Sequence, residues 1–351
     1  MNAAQSSGIT RNALVIIAVV LVGAAMRSIG GVLTPLLLAV FLAVMVDGLS
    51  RLLRERLPGL PQGAATLAAV VLSAGLFAIC VLAVADRASG FIQTLSGAQP
   101  KLVRLMTELA RDMRVKQPAA AARMALSLDP TSYLGAVALG LQGFMSNAIF
   151  VLIYLGFLIV SRRTFERKAV KLFKTRERRH DAVQLFLRVR DSIESYLWIQ
   201  TVTGALIAVV SFATMAAVGL DNAVFWAFLI FIVNYVPIVG AIAAIILPAL
   251  FALVQFPTYW QAAAVLAGLW LITFLVGNIL LPRMQGRSLN MDPLVVLLSL
   301  AFWGALWGLP GMFLSTPLTV LVMLILAQFD GSRWIAVLLS ADGEPDRMLK
   351  P

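Results

Sequence analysis

Apolar residues fill long stretches of this chain, and polar residues collect between them instead of alternating within them. Runs of about 20 apolar residues are long enough to cross a hydrocarbon core as helix. The pattern predicts such spans at about 12–29, 32–49, 63–85, 143–161, 197–219 and 259–281. A transmembrane barrel would show short segments of alternating character, which this chain lacks. Two further runs, 223–255 and 294–327, are longer than one crossing needs. The first has 33 residues and no charge; as a single helix it would reach about 50 Å against a core of about 30 Å. At its centre stands "NYVPIVG", where Pro237 and Gly240 divide it into arms of about 14 and 18 residues. The second run, "FWGALWGLPGMFLSTPLTVL", carries Gly308, Pro310 and Gly311 between arms of about 16 and 17. Pro and Gly are where helical rods break, so both runs are predicted to fold back as helical hairpins.

Charge then sets the expected topology. Lys and Arg concentrate on the cytoplasmic side of membrane proteins. Arg51, Arg54 and Arg56 follow the second span, and segment 162–190 holds eleven Lys/Arg against three acids. Placing both in the cytoplasm puts the N-terminus inside and 86–142 outside. Arg283 and Arg287 also face the cytoplasm only if 223–255 turns back on itself, and Arg333, Arg347 and Lys350 are expected there as well. Hairpin 1 then enters from outside and hairpin 2 from the cytoplasm, an inverted arrangement. Interrupted apolar segments at corresponding places in two halves point to a transporter's binding site. The C-terminus is expected in the cytoplasm. A retained first span is favoured over a signal peptide, because a second apolar run follows at once.

The expected architecture is all-α and polytopic, with about six spanning helices plus two re-entrant helical hairpins. Four regions follow: 1–142, the first three spans with an extracytoplasmic amphipathic segment; 143–196, the fourth span and the basic segment; 197–330, the transport core; and 331–351, a cytoplasmic tail. The amphipathic helix is read over 100–116, with Leu102, Leu105, Met106, Leu109 and Met113 on one face. A helix within 165–196 is expected to run into the fifth span.

Composition narrows the chemistry. Of 351 residues, 60% are hydrophobic and 13% charged, against roughly 45–50% and 25% in soluble domains. The net charge of +11 sits mostly in the basic segment, so it reads as membrane topology, with contact to lipid, and not as a nucleic-acid footprint. Cys80 is alone, which excludes an intrachain disulfide. No Lys follows a Gly, so there is no P-loop, and the single histidine, His180, excludes zinc sites of the H-E-x-x-H kind. No catalytic set, metal or cofactor is expected.

Between Glu194 and Asp330 the only charges are Asp221, Arg283, Arg287 and Asp292, all in loops or at helix ends. A proton relay through mid-membrane carboxylates has nothing to use. What the interior offers is neutral: Asn234, Tyr235, Asn278, Ser299, Ser315 and Thr316. Ser and Thr commonly bond their own helix, whereas a buried Asn needs outside partners. The candidate solute-binding residues are therefore Asn234, Tyr235, Asn278, Ser315 and Thr316, with Pro237, Gly240, Gly308, Pro310 and Gly311 as hairpin breakers. Asp292, just before Pro293, reads either as a helix cap or as a cation-coupling carboxylate.

"NYVPIVGAIAAIILPAL" (234–250), "GNILLPRMQGRSLNMDPLVVLLSL" (277–300) and "WGLPGMFLSTPLTVL" (307–321) together resemble the autoinducer-2 exporter family of bacterial inner-membrane proteins. The match is carried by Pro237, Gly240, Pro248, Pro282, Gly286, Gly308, Gly311 and Pro317 in order. The N-terminal half agrees in hydropathy only. Two positions depart from the pattern: Asp292 stands where His is frequent, and Leu281 where Glu is frequent. The resemblance implies a multi-pass homo-oligomer, a pentamer, with two re-entrant hairpins and an elevator-like movement. It implies export of autoinducer-2 or, in other members, sodium or proton antiport. The leading expectation is thus a transporter or facilitator for a small polar solute. The alternatives are a sodium (lithium)/proton antiporter and a membrane scaffold recruiting partners through the basic segment.

Overall fold

The computed structural model of the chain describes residues 14, 17–18, 20–75, 148–161, 175–285 and 290–345. The predicted helix at 100–116, Cys80, the first part of the basic segment, and Gly286 and Arg287 lie outside the described residues. Within them the chain is helical, with one isolated antiparallel bridge between Met291 and Ser340. The elements are α1 (20–28), α2 (Gly30–Arg56), α3 (Gln62–Gly75), α4 (Ala148–Ser161), α5 (Arg176–Val218), α6 (Ala223–Val233), α7 (Val239–Gln255), α8 (Tyr259–Leu275), α9 (Leu281–Gln285), α10 (Pro293–Leu326) and α11 (Arg333–Leu339). A π-helical turn, Val276–Leu280, joins α8 to α9.

Each predicted span falls on a helix wherever its residues are described. The expected helix ahead of the fifth span is there from Arg176 onward, and it is continuous with that span over 43 residues. Among the described residues, four helical stretches are long and apolar enough to cross a membrane: Gly30–Arg56, Ala182–Val218, Tyr259–Met284 and Pro293–Leu326. The last is not one rod. Gly308 adopts φ 64° and ψ −143° inside it, so α10 consists of two arms.

The chain forms two compact units. One takes in the described parts of Val44–Ser146 and Leu187–Asn290, the other those of Met1–Ala43, Asn147–Phe186 and Met291–Arg347. In the first, Ile207 and Met215 of α5, Phe225, Trp226 and Ile230 of α6, Ala244, Phe251 and Ala252 of α7, and Val265 and Leu269 of α8 form one buried cluster. Lipid tails are as apolar as these side chains, so close packing, and not escape from water, holds such helices together. Small residues permit it. Gly240, Ala244, Ala249 and Ala252 are all buried on α7, and a Cβ at Gly268 of α8 would collide with Thr214 of α5.

In the second unit the C-terminal arm of α10 is the most enclosed element: every residue from Leu314 to Val320 is buried. Ala39 of α2 packs on Val151 and Leu155 of α4 in a smaller cluster. Trp307 of α10 donates to the carbonyl of Met26 at 3.0 Å, and its ring covers Gly30 so closely that a side chain there would meet it at 2.8 Å.

Candidate functional site

Run 223–255 does fold back. α6 covers 11 residues and α7 covers 17, and the ring centroids of Trp226 and Phe251, on opposite arms, lie 5.4 Å apart. The base is closed by one side chain: the Gln255 amide accepts from the Asp221 N–H at 2.8 Å and donates to the Gly219 carbonyl at 3.0 Å. At the tip, Pro237 precedes Ile238, whose φ is 63° and ψ −62°. The Val239 N–H reaches the Pro237 carbonyl at 2.6 Å, which makes this a positive-φ γ-turn, a strained conformation for a β-branched residue. The return is tight: Gly240 comes so close to the Val233 carbonyl that no Cβ fits between them.

This tip leans on α5. Gln200 donates from Nε2 to the main-chain carbonyl of Asn234 at 3.2 Å. The Thr201 hydroxyl donates to the Leu197 carbonyl at 2.7 Å and lies 2.6 Å from the Tyr235 hydroxyl. A hydroxyl has one proton, so Tyr235 is the donor in that pair. The Tyr235 ring is buried, edge-on to Phe231 at 5.7 Å. Asn234 is half-buried. Its side-chain amide sits beside Gly204 of α5 and makes no hydrogen bond among the described residues.

The second run folds back as well. Sixteen residues of straight helix span about 24 Å, yet Trp303 Nε1 donates to Thr319 Oγ1 at 3.0 Å. Gly308 supplies the positive φ, and Gly311 presses on the Trp303 carbonyl with no room for a Cβ. Pro310 falls just after the break, where the first turn of a helix tolerates a missing N–H. Ser315 donates to the Met312 carbonyl at 2.7 Å, and its own carbonyl accepts from Thr319 at 2.7 Å. Thr316 is 2% exposed, and its hydroxyl has no hydrogen-bond partner among the described residues. The base is tied by α11: Ser332 donates to the Leu326 carbonyl at 3.0 Å, and Met291 bridges Ser340.

The remaining candidates lie elsewhere. Asn278 is exposed on the π turn, where its amide donates to the Phe274 carbonyl at 3.0 Å. Asn278 lies four residues after Phe274, so this is the back-bond a helical Asn makes one turn behind itself. Asp292 caps α10, its Oδ1 accepting from the Leu294 N–H at 2.7 Å. No cluster of three or more His, Cys, Asp or Glu side chains able to hold a metal occurs among the described residues. Sequence reasoning missed Gln200, Thr201, Gly204 and Gln255. The first three had a visible signal, a polar and small cluster inside the apolar stretch "YLWIQTVTGALIA".

The sequence profile described as AI-2E family transporter matches residues 14–330. The AI-2 transport protein TqsA of Escherichia coli is 31% identical over 322 residues, covering 88% of this chain and 89% of its own. A relative from Haemophilus influenzae, provisionally named a transport protein, is 28% identical over 94% of this chain and 96% of its own. The protein YhhT of E. coli, also provisionally named for transport, is 28% identical over 94% of each chain. Helices of spanning length, two tightly closed helical hairpins and a family match over nearly the whole sequence agree with one another: the chain is an integral membrane protein that belongs to the AI-2E transporter family.

Proposed function

We propose that this transporter exports a small, neutral, hydroxylated solute such as autoinducer-2 across the bacterial inner membrane, with the tip of the α6–α7 hairpin as a solute-binding element. The observation that carries the reading is the Asn234 amide, half-buried at a helix break and without a hydrogen bond among the described residues. An amide offers donors and an acceptor but no charge, which suits a hydroxylated molecule. The name of the E. coli relative, an AI-2 transport protein, supports autoinducer-2 as the solute to test first. Irregular backbone at membrane depth is tolerated where protein or a water-filled cavity surrounds it, which supports reading the hairpins as re-entrant. The family resemblance supports an elevator-like movement and a pentameric assembly, and Lys/Arg placement supports cytoplasmic termini.

The test is flux of autoinducer-2 into liposomes carrying the purified protein, with and without ion gradients. Asn234→Ala is expected to lower the flux at least tenfold while the protein stays folded. Wild-type flux in that variant overturns the reading. So does a wild type that moves no autoinducer-2 but exchanges sodium or lithium for protons.

A further inference from the structure

The face of α5 opposite the hairpin tip carries a second amide. Gln200 is 6% exposed, buried on α5 beside Ile199 and Thr201. One of its N–H groups is fixed on the Asn234 carbonyl at 3.2 Å. Its other N–H and its Oε1 make no hydrogen bond among the described residues. One turn along the same face, Gly204 leaves a space into which the Asn234 amide projects: a Cβ at Gly204 would stand 3.0 Å from Asn234 Nδ2 and 3.4 Å from the Phe231 ring. A larger residue at 204 would push that amide out of place.

Building on the solute reading above, we propose that Gln200 and Gly204 form the second wall of the solute site, facing Asn234. Gln200 supplies an acceptor and a donor that match those of Asn234, and Gly204 sets the space in which the amide and the solute fit. Two uncharged amides, each able to give and to take a hydrogen bond, suit a molecule with adjacent hydroxyls, since each hydroxyl also gives and takes one. They suit an anion poorly, because an anion needs donors with positive charge, and no Lys or Arg lies on α5 between Glu194 and Val218. The bond to the Asn234 main chain holds Gln200 in position before solute arrives, so little ordering is left to be done on binding.

Autoinducer-2 flux in liposomes, resolved into KM and maximal rate, tests the assignment on the full chain. Gln200→Met keeps the length of the side chain without its hydrogen bonds, Gln200→Glu replaces the donors by a charge, and Gly204→Ala adds one methyl group. Each is expected to raise KM about tenfold with the unfolding temperature within a few degrees of wild type. Thr203→Val serves as the control: its hydroxyl is engaged with the Ile199 carbonyl at 2.7 Å, and its KM should not move. Should KM stay at the wild-type value in folded Gln200→Met and Gly204→Ala, or should only stability and maximal rate fall, Gln200 is a structural tie and the inference is overturned. If that happens while Asn234→Ala still abolishes flux, the solute reading survives it. Undiminished flux in all four variants, Asn234→Ala included, removes both.

Discussion

The hairpin over Ala223–Gln255 and the one over Pro293–Leu326 reach the same close return by different residues. In each, a glycine of the returning arm lies against a main-chain carbonyl of the first arm, Gly240 on Val233 and Gly311 on Trp303. In each, the reversal passes through a positive φ, 63° at Ile238 and 64° at Gly308. Only one of the two residues is suited to it. Gly308 has no Cβ to strain, whereas Ile238 is β-branched and 46% exposed, so packing does not compel its conformation. The bases differ too. The Gln255 side chain bridges the ends of the first hairpin, while the second is closed by the short helix α11 and several main-chain bonds. The first hairpin is thus strained at its tip and tied at its base by a side chain, and the second is relaxed at its tip and strapped by main chain. Backbone strain gathers at functional sites. The contrast is therefore one of local strain, and variants at the two tips can test whether it matters for transport.

The close returns give the largest test. Gly240→Ala and Gly311→Ala each force a Cβ onto a backbone carbonyl that has no flexible way to yield, and should destabilise by roughly 3 kcal/mol or more. Gly304→Ala meets the Met312 side chain, at Cε and Cγ, and no main-chain atom, and should be milder. Thermal unfolding in detergent ranks the three. Equal effects would mean that the carbonyl contacts do not define the hairpins.

The tips give the next test, and its signs are opposite. Ile238→Gly removes a strained φ and should stabilise by about 1 kcal/mol, whereas Gly308→Ala introduces strain and should destabilise by about 1–3 kcal/mol. If Ile238→Gly also slows transport, the strained turn serves the cycle. If both substitutions destabilise, the contrast between the tips is lost. At the bases, Gln255→Leu removes two hydrogen bonds, together worth about 1–2 kcal/mol. It should speed hydrogen exchange of α6 and α7 while leaving α10 unchanged. Faster exchange in α10 as well would show that the two bases do not act separately.

What could be read in advance, and what could not, follows from how local each cause is. Pro237, Gly240, Gly308, Pro310 and Gly311 announce the breaks because their chemistry acts on their own backbone. The continuity of α5 was legible because no breaker interrupts 176–196. The partners of the breaks were not. Gln200 is 34 residues from Asn234 and Gln255 is 34 from Asp221, and only the folded chain brings them together. Ile238 at positive φ runs against its own preference, so no local rule would choose it. Asn278 reads as a free amide in the sequence, yet its side chain bonds the Phe274 carbonyl one turn back. Asp292 allowed two readings, and the N-cap bond to Leu294 engages one of its carboxylate oxygens.

Thr316 yields the smallest and most discriminating effect. It follows Ser315, and both are buried in the returning arm of α10. Ser315 satisfies its hydroxyl on Met312, as helical serines commonly do, while Thr316 leaves its Oγ1 without a partner among the described residues. A buried hydroxyl without a bond opposes folding, and replacing it by a methyl group of similar shape removes that opposition. Thr316→Val should therefore be neutral or stabilise by up to about 1 kcal/mol, whereas Ser315→Ala should destabilise by about 1 kcal/mol through loss of a formed bond. Stability alone settles whether the hydroxyl is an orphan in the resting fold. Flux then asks what it is kept for: a Thr316→Val protein that is as stable as wild type yet transports poorly would place the second hairpin on the solute's path. One that transports normally would leave solute recognition to the first hairpin and make the second a support.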